Sequence, residues 1–153
     1  MTQETRRRIG GLAALLLLVG CASTGTLSRS AWTYGADSPE LAVRGFLDAV
    51  AADDTGAMGD LFGTKDGPAE GHLGIVEVEQ RMVFLRALLR HDSYRLRQAN
   101  LAQLGPDRVR YLAMMTGTRK GDATVALVAV PAADGRWYVE QLDVDELTGT
   151  GLP

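Results

Sequence analysis

After His91-Asp92 the apolar period of this chain changes from that of a helix to that of a strand, and it does not change back. Four extended segments follow, Ser93–Leu104, Arg108–Thr118, Asp122–Val130 and Arg136–Asp145. They are separated by Gly105-Pro106-Asp107, by Arg119-Lys120-Gly121 and by Ala132-Ala133-Asp134-Gly135, all turn-forming strings. Links this short join only antiparallel neighbours, so the second half of the chain is a four-stranded meander. Helices followed by such a meander make an α+β domain, with the helices packed on one face of a curved antiparallel sheet.

The helical half is well punctuated. Ser38-Pro39-Glu40 supplies a hydroxyl N-cap, a proline at the first helical position and an acid in the first turn. Leu41, Gly45, Phe46, Ala49 and Val50 then give one apolar face through Ala52. Asp53-Asp54 caps a second, short helix with Met58, Leu61 and Phe62 on one side, ending at Gly63. Residues 63–74, GTKDGPAEGHLG, read as a glycine-rich loop that either closes a pocket or connects two helices at an awkward angle. A third helix is expected from about Ile75 to Arg90. Val78, Met82, Leu85 and Leu89 line its buried face, which Phe84 and Leu88 broaden. Phe46, Met82, Leu85 and Trp137 should meet in one core.

Two irregularities are expected in the sheet. Tyr94 and Leu96 alternate, but Leu101 falls out of parity with them, which places a bulge near Gln98–Asn100. Asp122–Val130 is apolar on both faces, as an interior strand is, or one covered by a second subunit. A homodimer through that open sheet face is therefore expected, with an envelope protein as the other partner considered.

The N-terminus fixes the compartment. A basic start at Arg6-Arg7-Arg8 precedes an apolar stretch from Ile9 to Val19, too short for the roughly 20 residues of a membrane span. The single cysteine of the chain stands at its end, in Leu18-Val19-Gly20-Cys21. That string resembles the lipobox of bacterial lipoproteins; an ordinary secretory signal with a chance cysteine is the plainer alternative. The resemblance implies that residues 1–20 are a signal peptide and that Cys21 becomes the lipidated N-terminus. Two or more acyl chains, at about 0.8 kcal/mol per buried methylene, then hold the protein on a membrane. Ala22 stands where that family carries Asp for inner-membrane retention, which implies the outer membrane, facing the periplasm, in an organism that has one. Thr5-Arg6-Arg7-Arg8-Ile9 also resembles, more faintly, a twin-arginine export signal. Residues 21–37, rich in Ser, Thr, Gly and Ala, read as a tether, and 148–153 as a flexible tail. Within the tether, Trp32 and Tyr34 are expected either to dock on the domain or to sit at the lipid interface.

From about residue 38 to 147 the order of elements resembles the nuclear transport factor 2-like superfamily, a cystatin-like cone in which the sheet wraps a long helix. The matching residues are Pro39 to Leu47 (PELAVRGFL), Leu61-Phe62 after Asp53-Asp54, and Gly135-Arg136-Trp137-Tyr138-Val139. The resemblance implies a fold shared by non-catalytic envelope modules and by enzymes that use the cone as an active site, so it does not choose between them.

Composition excludes several classes. The net charge is −3, and removing the tri-arginine start makes the mature chain more acidic still; with no basic run it is a poor nucleic-acid binder. No Cys/His cluster has zinc-ligand spacing, and Gly63-Thr64-Lys65 lacks the glycine of a phosphate loop, so no metal and no cofactor is assigned. A cone enzyme would need a tuned acid or base facing an apolar cavity. His72, Tyr111 and Asp143 are the pocket candidates, with His91 beside them, and each has a structural reading. His72 fits a solvated loop, Tyr111 a core wall, and His91 a helix C-terminus, where a cation complements the dipole. Asp143 and Asp145 on one face of the last strand, with Glu140 on the other, fit a charged edge. Arg81, Arg86 and Arg90 lie along the exposed side of the third helix, and Glu77 with Arg81 makes an ordinary i,i+4 pair. No residue is assigned as catalytic. The reading reached is a lipid-anchored envelope protein with a binding or assembly module; a small cone-fold enzyme or carrier for an apolar ligand is the alternative.

Overall fold

The structure is a computed structural model, and it describes residues 34–99 and 107–148. Cys21, Trp32, Leu101 and the tail beyond 148 lie outside the described residues. The elements in order are α1 (Pro39–Ala51), α2 (Thr55–Asp60), β1 (Gly63–Thr64), β2 (Gly67–Pro68), α3 (Glu70–Leu73), α4 (Ile75–Leu89), β3 (Ser93–Gln98), β4 (Val109–Thr118), β5 (Gly121–Pro131), β6 (Trp137–Asp143) and α5 (Asp145–Thr148). The fold is α+β, with helices packed on a cone-like, four-stranded antiparallel sheet in the order β3-β4-β5-β6.

Local chemistry sets the helix ends. The Ser38 hydroxyl accepts from the Leu41 amide at 3.2 Å, and Pro39 opens α1. At the other end Asp53 adopts φ 57° and donates its amide to Val50, while Asp54 donates to Ala49. This is a left-handed helix stop built on aspartate where glycine is the usual choice. Asp54 then caps α2 by accepting from the Ala57 amide at 3.0 Å, so only the second of the two aspartates is the cap. The segment 63–74 is not a bare loop. It folds into the β1–β2 hairpin and the single turn of α3, and Gly63 is fixed by its surroundings: a Cβ there would stand 2.5 Å from the Gly67 carbonyl oxygen and 2.8 Å from the Tyr138 ring.

Two irregularities curl the sheet around α1. Between β4 and β5 the register shifts between Met115 and Thr118. Between β5 and β6, Val128 faces Gln141 and Ala129 faces Val139, so Glu140 is an extra residue on β6. Val139 and Leu142 consequently share the core face three residues apart, which a period of two forbids. The bulge expected at the end of the first strand does not fall in the described part, where β3 pairs regularly with β4 from Ser93 to Gln98. β5 is an interior strand. Val128 and Val130 on its outer side are only 2 % exposed, and an ion pair (2.8 Å) joins Arg108, just ahead of β4, to Glu140 on β6.

Phe46, Leu47, Met58, Met82, Leu89, Met115 and Leu127 are fully or almost fully buried and fill the space between helices and sheet. Phe46 and Met82 share the core cluster, with Leu85 and Trp137 packed against it as half-buried members. Phe84 departs from expectation: it is 63 % exposed and does not broaden the buried face of α4. Residues 34–37 form a strap along β6. Ala36 and Trp137 exchange both backbone hydrogen bonds (2.9 and 2.8 Å), and the Gly35 amide donates to Asp60 at 2.8 Å. The Arg136 guanidinium donates to the carbonyls of Tyr34 (3.2 Å) and Gly35 (2.7 Å) and pairs with the Asp37 carboxylate.

Candidate functional site

β6 ends the sheet, and its outer edge is only partly used. Ala36 bridges Trp137 and Phe62 bridges Val139; beyond Val139 no described strand pairs with that edge. α4 runs past this stretch, and an open groove of about 630 Å³ lies between them. Phe62, Leu85 and Leu142 give it apolar walls, together with the exposed ring of Phe84. Gln80, Gln141, Glu77, Arg81 and Glu140 complete the lining. A second open hollow, about 710 Å³, continues along Leu73 to Gln80 at the start of α4 and shares Glu77 and Gln80 with the first.

The charges of the groove are internally matched. Arg81 donates to Glu77 at 2.7 Å on the helix, one turn apart as the sequence spacing requires. Arg108 donates to Glu140 at 3.0 and 2.8 Å on the sheet side, holding that carboxylate down against the strand. Neither carboxylate is left to act as an uncompensated charge. Such a groove offers apolar contact flanked by a partly free strand edge, which is the chemistry of binding an extended segment.

The three residues read from sequence as pocket candidates do not meet. His72 is exposed on α3, near the Asp66 carboxylate whose pKa is lowered, chiefly by its hydrogen bond and ion pair with Lys65. Asp143 is exposed at the end of β6, where its carboxylate accepts from the Asp145 amide at 3.4 Å. Asp145 belongs to α5 and not to the last strand. Tyr111 is 5 % exposed on the core face of β4; burial raises its hydroxyl pKa, Glu40 adds to the rise and Arg44 opposes it. That places Tyr111 against α1, away from both other residues. His91 is 8 % exposed; its Nδ1 donates to the Leu89 carbonyl at 2.8 Å, closing the end of α4, and its ring meets Tyr94 edge-on at 5.4 Å.

Tyr94, read from the sequence only for its place in the strand alternation, has a specific partner in the structure. Burial, then a 2.7 Å hydrogen bond to the Asp48 carboxylate, push its hydroxyl up to about 12. This contact pins β3 to α1 and leaves Tyr94 a fixed donor at neutral pH. Among the described residues no group of three or more His, Cys, Asp or Glu side chains is placed to hold a metal ion, and no helix is long and apolar enough to cross a membrane. No protein family, curated protein or solved structure matches the chain.

Proposed function

We propose that this chain is a lipid-anchored protein of the cell envelope, related to the nuclear transport factor 2-like cones. Its domain works as a binding module that takes an extended apolar segment of an envelope partner into the groove between α4 and β6. The observation that carries the binding half of this reading is where the empty space lies. The interior is filled by Met58, Met82, Met115, Leu47 and Leu89, while the apolar concavity opens at the edge of the domain beside a stretch of β6 that no described strand pairs. The alternative, a cone enzyme or carrier, needs an internal cavity with convergent acid or base groups, and His72, Tyr111 and Asp143 lie on three separate elements.

The anchor rests on the lipobox resemblance around Cys21. Intact-mass measurement of the protein from its native membrane should find a diacylglycerol on Cys21 and residues 1–20 removed; a native protein with an unmodified Cys21 thiol would overturn it. The groove is tested separately by placing a photo-crosslinking amino acid at Gln141, with Asp122 as the control position. A discrete adduct from position 141 in cells, lost on Leu142→Arg, is the expected result. Crosslinking from 141 no greater than from 122 would remove the groove as a binding site.

A further inference from the structure

α4 is apolar on two sides. Val78, Met82 and Leu89 face the core, while Val76 (62 % exposed), Val83 (50 %) and Phe84 (63 %) face away from it, with Ile75 (57 %) at the first turn. Four of the seven exposed large hydrophobic residues of the described chain are therefore on this one helix. Val76, Gln80, Val83 and Ala87 follow the 4-3-4 spacing of a coiled-coil seam, and all four are exposed and uncharged. A surface stripe of this kind on a 15-residue helix is more than scattered apolar exposure.

From this stripe we infer that α4 packs antiparallel against α4 of a second copy of the chain. The choice of occupant comes from the flanking charges. Glu79 and Arg86 occupy equivalent flanking positions of the seam, seven residues apart, one near each end of the helix. In an antiparallel pair the seam positions oppose one another as Val76 to the second copy's Ala87 and Gln80 to its Val83. The same alignment brings Glu79 beside Arg86 of the second copy, and the two-fold axis repeats the pair. A parallel pair would instead set each of these positions beside the residue five further on in the second copy, which gives Glu79 the apolar ring of Phe84 and puts the partner position of Arg86 beyond the end of the helix. The stripe is thus self-complementary in shape and charge in one orientation only. Arg86 already lies 3.5 Å from Asp53 with both side chains partly exposed, a loose contact that leaves it able to reach a second carboxylate. One short helix per copy is at the small end of specific interfaces, so the dimer is a reversible one.

Native mass spectrometry and sedimentation of the full chain in detergent, across about 1–100 µM, test this. Dimers are expected for the parent, and Glu79→Arg or Arg86→Glu alone should weaken the dimer by about tenfold or more, since each reversal creates two repulsive contacts. The double variant E79R/R86E restores the pairing with signs exchanged and should dimerise again. Circular dichroism of each variant separates lost association from lost folding. A parent monomeric throughout this range overturns the inference, and so does a dimer that neither single reversal weakens, which would place the contact on another face. Binding of a monomeric parent to phospholipid vesicles, abolished by Val83→Asp, would give the stripe to a lipid surface and equally overturn the second copy as its occupant.

Discussion

Phe46 and Phe84 are the same residue type on two helices of one domain, and the fold assigns them opposite energetic roles. Phe46 is completely buried in the shared core, while Phe84 keeps 63 % of its surface. Phe46→Ala removes a ring from a filled interior, with loss of transfer energy and a cavity behind it, at a cost of about 3–5 kcal/mol. Domains of this kind have roughly 5–15 kcal/mol in total, so the variant forfeits a large share of its stability. At about 3–4 °C per kcal/mol for a chain of this size, its melting temperature should fall by roughly 10–20 °C. Phe84→Ala should change stability by no more than about 0.5 kcal/mol. The assay is thermal and urea unfolding followed by circular dichroism below 1 µM, where a reversible dimer is apart and stability reads the single domain. If both variants melt within a few degrees of each other, either the core does not close on Phe46 or α4 is turned about its axis, and the assignment of its two faces fails.

Tyr94 gives a prediction at high pH. Its folded pKa of about 12 lies above the ordinary tyrosine value, so its contribution to stability is complete below about pH 10 and is lost as pH rises towards 12. Tyr94→Phe should flatten the fall in stability across that window, and a fall of unchanged steepness would show that the Asp48 contact is not formed. Gly63→Ala should destabilise by about 1–3 kcal/mol, because the added methyl meets the Gly67 carbonyl and the Tyr138 ring at once; unfolding at the parental urea midpoint would mean that the β1–β2 hairpin is not packed on β6.

Much of the fold was legible because its signals are local. The cap at Ser38-Pro39-Glu40, the paired aspartates after α1 and the turns at Arg119-Lys120-Gly121 and Ala132-Ala133-Asp134-Gly135 each act within a few residues. Each appears in the structure at or next to its expected place. The two faces of α4 were not legible in the same way. Apolar residues lie on both sides of that helix, so periodicity alone assigns Phe84 to the core as readily as Leu85, and only the position of α2 and the sheet decides between them. The groove was invisible for a related reason. Its walls come from Phe62, α4 and β6, and the bulge at Glu140 that sets Leu142 into it depends on pairing with β5, which no local pattern encodes. His72, Tyr111 and Asp143 were picked for their chemistry, whereas the concavity is defined by aromatic and aliphatic side chains that carry none.

The strap at residues 34–37 has a mechanical consequence. Tension arriving from upstream does not reach the helices first; it meets the Tyr34 hydroxyl bond to Glu70 (2.9 Å), then the Gly35 amide, then the Ala36–Trp137 bridge, with Arg136 holding the intervening carbonyls. These contacts follow one another along the chain from residue 34 to residue 36. Their release would free four residues, about 14 Å of contour at roughly 3.5 Å per residue, ahead of α1. The strap can thus be lost without breaking a hydrogen bond within the helices or the four-stranded sheet, since its bonds go to Asp60, Glu70, Arg136 and Trp137.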